Sequence, residues 1–109
     1  NFYFSLQEPE FTNLNVTFGS VKKTGVGYKN NGVIVFRADQ DEYKAFDATC
    51  PQHIDINASV NIDKSESYKA ICPHCNTVYF LSNNGFPANG YKLKQYRVTP
   101  SGNAFNVSN

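Results

Sequence analysis

Apolar and polar residues alternate over short distances along this chain, and the alternating runs are punctuated by turn formers. Leu14, Val16 and Phe18 alternate and predict a strand over 14–18. Residues 19–32 are rich in Gly, Lys and Asn, with a short strand around Val21 and a turn at Asn30-Asn31-Gly32. The strongest strand is Gly32-Val-Ile-Val-Phe-Arg37. Ala38-Asp39-Gln40-Asp41 turns it and Glu42 to Asp47 returns, which makes a hairpin that delivers the chain to Cys50. Weak alternation follows over Ala58–Ile62, then a polar turn at 63–67. A strand at Tyr68–Ile71 leads to Cys72, and Thr77–Leu81 is the strand leaving it. Ser82-Asn83-Asn84-Gly85 reads as a turn and 86–90 as a loop. Tyr91–Thr99 and Ala104–Val107 form a last hairpin across Pro100-Ser101-Gly102-Asn103. No stretch supports a helix longer than a turn. Residues 1–13, aromatic and then acidic with a break at Glu8-Pro9-Glu10, read as a lead-in that packs on the rest.

Composition agrees with an all-β fold. Nine Phe and seven Tyr occur with no Trp and no Met, and aromatic and β-branched side chains suit a pleated, half-buried surface. At 109 residues the chain is expected to form one domain, 1–109, with a core of moderate size. The net charge of +1 arises from scattered Lys and Arg. That excludes the basic stripe of a nucleic-acid surface. No apolar run approaches the length of a transmembrane segment. The chain begins at Asn1-Phe2-Tyr3-Phe4, which reads as a trimmed or mature form and leaves room for a removed export signal. No Ser-His-Asp order, nucleophile elbow or phosphate loop appears, so the chain is not expected to be an enzyme by itself.

The chemistry is concentrated in two loops. Cys50-Pro51-Gln52-His53 and Cys72-Pro73-His74-Cys75 hold all three cysteines and both histidines. The pattern is C-x2-H, eighteen residues, then C-x2-C. Such pairs form knuckles whose amides face a bound sulfur, and the spacing fits a zinc-ribbon-like site. Cys50, His53, Cys72 and Cys75 are the candidate ligands. His74, between two cysteines, is expected to face solvent. Cys and His serve zinc and iron–sulfur centres alike. Three is an odd count, so a disulfide framework would leave one cysteine over and metal ligation is the more economical reading. A disulfide from Cys50 to Cys72 or Cys75, or cysteines acting as small buried hydrophobes, are the alternatives.

The order of elements resembles the Rieske iron–sulfur domain, in particular small exported bacterial members. The matching stretches are Ala45-Phe46-Asp47-Ala48-Thr49-Cys50-Pro51, Ala70-Ile71-Cys72-Pro73, Thr77-Val78-Tyr79-Phe80-Leu81 and Leu93-Lys94-Gln95-Tyr96-Arg97-Val98. With the strand at 32–37 the resemblance spans 14–108. It implies an antiparallel β-sandwich or barrel with a rubredoxin-like two-loop tip, and a cluster-binding subdomain at 48–81. It implies a [2Fe–2S] cofactor, single-electron transfer to a redox protein partner, and a periplasmic or cell-surface location. Tyr79 stands where the family keeps a tyrosine that donates to a ligating sulfur, and Thr77 where a hydroxyl bonds a bridging sulfide. Each also has a plainer reading as an ordinary strand residue. The family's two histidine positions are Gln52 and Cys75 here. The departure leaves three alternatives: a Cys3His-bound [2Fe–2S] cluster, zinc on the same residues, or a structural domain that has kept the fold and holds no cofactor.

Overall fold

Strand β3 (Val33–Arg37) organises the molecule because both of its faces are covered. Val33, Ile34, Val35 and Phe36 are all buried. Successive side chains of a strand point to opposite faces, and the two sets enter two different cores. Ile34 and Phe36 join Phe46, Ala48, Cys50, Cys72, Tyr79, Leu81 and Leu93. Val33 and Val35 join Phe4, Phe11, Leu14, Ala45 and Val107. An unbroken apolar run is what a strand with no solvent face requires.

The computed structural model describes residues 2–109 and is all-β. A six-stranded antiparallel sheet runs in the order β1-β10-β9-β4-β3-β2. It is built from β1 (Phe2–Phe4), β2 (Ser20–Lys23), β3, β4 (Tyr43–Asp47), β9 (Gln95–Ser101) and β10 (Ala104–Ser108). A four-stranded antiparallel sheet, β5-β6-β7-β8, holds β5 (Asn61–Ile62), β6 (Lys69–Ile71), β7 (Val78–Phe80) and β8 (Phe86–Pro87). Lys22 ties the sheets together. Its ammonium donates to Ser59 Oγ (2.6 Å), Val60 O (2.8 Å) and Asn61 Oδ1 (2.9 Å).

Three expectations are corrected. The alternation at Leu14, Val16 and Phe18 makes no strand. Pro9–Asn15 is a 3-10 helix that buries Phe11 and Leu14 three residues apart, the spacing at which that helix eclipses its side chains. The lead-in does more than pack, because Phe2–Phe4 adds an edge strand paired with β10; Asn1 lies outside the described residues. Phe86–Pro87, read as loop, pairs with β7. The β3–β4 hairpin forms in the register Val33↔Asp47 to Arg37↔Tyr43. The closing hairpin also forms, but its strand starts at Gln95, and Ser101↔Ala104 pairing narrows its turn to Gly102-Asn103. Pro100 is tolerated in β9 because β4 pairs with that strand only at Gln95 and Tyr96, so its missing N–H costs no rung there.

Candidate metal centre

The first loop leaves the main sheet through β4. A buried carboxylate pins the exit. Asp47, 2% exposed, accepts from the amides of Thr49 (2.8 Å) and Tyr28 (2.7 Å) and from the Tyr96 hydroxyl (2.6 Å). Burial alone raises its pKa. Hydrogen bonds from Thr49, Tyr96 and Tyr28 outweigh that and hold it below the ordinary value. The excursion is then pinched shut. Thr49 bridges Ser59, Cys50 N donates to Ala58 O (2.9 Å), and Val60 N donates to Ala48 O (2.7 Å). Inside the pinch, Pro51–Ile56 makes 3-10 turns broken at His53 and ends at Asn57, whose left-handed φ of 60° an asparagine adopts readily.

The second loop is the turn between β6 and β7. Cys72 N donates to Thr77 O (3.0 Å), and Asn76 N, at a residue with φ of 60°, donates back to Cys72 O (2.8 Å). These two bonds close the knuckle around Pro73, His74 and Cys75.

The two loops meet. The sulfurs of Cys50, Cys72 and Cys75 all lie within 4.8 Å of one another. Cys50 and Cys75 are 3.7 Å apart, and all three thiols are free. Cys50 and Cys72 are fully buried, while Cys75 is half-exposed. Each of two sulfurs has a hydroxyl neighbour at 3.1 Å, Tyr79 on Cys50 and Thr77 on Cys75. The first is the tyrosine-to-sulfur contact the resemblance implies; the second joins Thr77 to a cysteine sulfur, where the resemblance implies a bridging sulfide. Burial pushes the Cys72 thiol up. The Thr77 hydroxyl, aided by its amide, brings Cys75 down to about 7. Burial and then the adjacent Cys50 sulfur push the Tyr79 hydroxyl upward, so it stays protonated and able to donate.

The histidines are placed differently from the thiols. His53 and His74 are both exposed, and neither belongs to the three-sulfur group. Their rings meet edge to face, 5.9 Å between centroids, on the outer rim. His74 faces solvent as expected. His53 stands with it rather than among the sulfurs.

Gln52 carries a role that sequence reading missed. Its Oε1 accepts from Tyr91 N (3.2 Å), and its Nε2 donates to Tyr91 O (2.7 Å) and to the Tyr79 hydroxyl (3.1 Å). It therefore staples the first loop to the segment before β9 and reaches the hydroxyl that contacts Cys50. Gly90 makes room for it. A Cβ there would lie 2.5 Å from Gln52 Oε1. Nothing local signals this, since the partners are 27 and 39 residues away.

Three convergent thiols, two of them buried, form a soft donor set that can hold a thiophilic metal ion. Among the described residues no helix is long and apolar enough to cross a membrane. No protein-family model matches this chain, and no curated protein matches it.

Proposed function

We propose that this protein is a metal-binding module on a Rieske-like β scaffold, in which Cys50, Cys72 and Cys75 hold a single thiophilic ion, zinc first among them. The observation that carries this reading is the spacing of the sulfurs. Ligands at a zinc–sulfur distance of about 2.3 Å in a tetrahedron stand about 3.8 Å apart, and Cys50 and Cys75 are 3.7 Å apart. A two-iron cluster divides four protein ligands between its irons, whereas the compact group here has three. Bound zinc would hold the thiolates deprotonated and tie the two loops together. A fourth ligand, whether water, a partner's side chain or a rearranged His53, would complete the set.

A second reading is a [2Fe–2S] centre serving single-electron transfer, with His53 as fourth ligand. One observation favours it: the Tyr79 hydroxyl stands 3.1 Å from the Cys50 sulfur, the tyrosine-to-sulfur contact that the Rieske resemblance implies. Elemental analysis of protein prepared without chelators, with iron and zinc both supplied and oxygen excluded, separates the two. About one zinc and no visible colour supports the first reading. About two irons with visible absorption supports the second. Protein that takes up neither metal overturns both.

A further inference from the structure

The three sulfurs are not equivalent, and the difference has a chemical consequence. Cys75 is the partly exposed one; the Cys50 sulfur, 3.7 Å from it, belongs to a fully buried residue. Thr77 Oγ1, 3.1 Å from Cys75, can donate to an anionic sulfur there. A disulfide needs the pair to close from 3.7 Å to about 2.0 Å. Each loop is held by its own backbone closure, at Cys50 N–Ala58 O and Cys72 N–Thr77 O.

We propose that the Cys50–Cys75 pair is a peroxide-reactive dithiol, with Cys75 the attacking sulfur and Cys50 the resolving one. The co-reactant is a small hydroperoxide. The Cys75 thiolate attacks the outer peroxide oxygen, the O–O bond breaks, and the alkoxide or hydroxide leaves and takes up a proton. Cys75 is then a sulfenic acid. The Cys50 sulfur attacks the Cys75 sulfur, the S–O bond breaks, and the hydroxyl leaves as water with the proton from Cys50. In sum, two thiols and one hydroperoxide give one disulfide, one alcohol or water, and one further water. Cys72, buried beside them, stays reduced. The chemistry needs no metal. Only its corollary, that oxidation expels a bound ion by removing two of three ligands, rests on the metal reading.

The sequence makes the test direct. Tryptic cleavage after Lys44, Lys64, Lys69 and Lys92 puts Cys50 in peptide 45–64 and both Cys72 and Cys75 in peptide 70–92. Metal-stripped protein treated with about one equivalent of hydrogen peroxide should yield a 45–64/70–92 crosslink, reversed by reductant. Fragment ions on either side of His74 should assign the bond to Cys75. Cys50→Ser should abolish the crosslink and leave Cys75 as sulfenic or sulfinic acid. A bond within 70–92, a crosslink through Cys72, or no oxidation at stoichiometric peroxide overturns the proposal. Elemental analysis of untreated protein judges the metal reading separately, so either can fail alone.

Discussion

The hydroxyl of Tyr79 stands 3.1 Å from the Cys50 sulfur and 3.1 Å from the side-chain nitrogen of Gln52. That amide nitrogen can only donate, so it fills an acceptor site on the hydroxyl and leaves the Tyr79 proton to face sulfur. Gln52 is itself oriented by the Tyr91 amide on its Oε1. The chain of donors runs Tyr91 to Gln52 to Tyr79 to Cys50, and it ends on an atom that carries negative charge once ionised or metal-bound.

Tyr79→Phe removes the middle of that chain at little change in volume. The half-buried Gln52 donor and the buried Cys50 sulfur both lose a partner, so a loss of about 1–2 kcal/mol in denaturant unfolding is expected. Metal affinity or thiolate stability at the triad should fall with it. Unchanged stability together with unchanged metal affinity would show that the hydroxyl contacts carry no energy.

Gln52→Ala and Gly90→Ala test the staple from its two sides. The first deletes three hydrogen bonds. The second keeps them in principle, but sets a Cβ against the Gln52 amide at a residue with φ of +106°, which only glycine adopts without strain. Both should accelerate amide exchange at Tyr91 by tenfold or more, on the order of the 1–3 kcal/mol that a set of such bonds represents. Exchange at Val35, in the centre of the main sheet, should stay as it was.

Asp47 should dominate the acid limb of stability. Its folded pKa lies below its ordinary value. The contribution is therefore complete above the free carboxylate's pKa of about 3.9 and is lost as pH falls through the folded value. Asp47→Asn cannot titrate and leaves donors facing an NH2 group. It should cost about 1–3 kcal/mol at pH 7, with the gap to the native protein narrowing below about pH 4. A gap constant from pH 7 to pH 3 would contradict the assignment.

Cys75 should alkylate at lower pH than an ordinary cysteine. In metal-stripped protein its rate with iodoacetamide should be half-maximal at about 7. Thr77→Val removes the hydroxyl and should move that midpoint up toward the free-thiol value of about 8.5. Superimposable profiles for the two proteins would dismiss Thr77 as the cause.

Much of the fold was legible because strand signals are local. The β3–β4 hairpin needs only a run of Val, Ile and Phe, a polar turn and a returning strand, all within 33–47. The clustering of every Cys and His in two knuckles was likewise plain in the sequence. The 14–18 stretch misled because period-two alternation and a three-residue helical spacing share Leu14 but diverge at Phe11. Burial of Phe11 and Leu14 decided the matter.

The sequence by itself determined an all-β chain, the identity of the donor atoms and the two places where they are presented. Only the tertiary structure decided which of them meet. It gathers three sulfurs, turns His53 outward beside His74, and folds Gln52 inward to Tyr79. The reason is one of range. Strand and turn preferences act over a few residues, whereas the meeting of Cys50 with Cys75, or of Gln52 with Tyr91, is set by two sheets packed on a shared core, with the partners 25 and 39 positions apart in the chain.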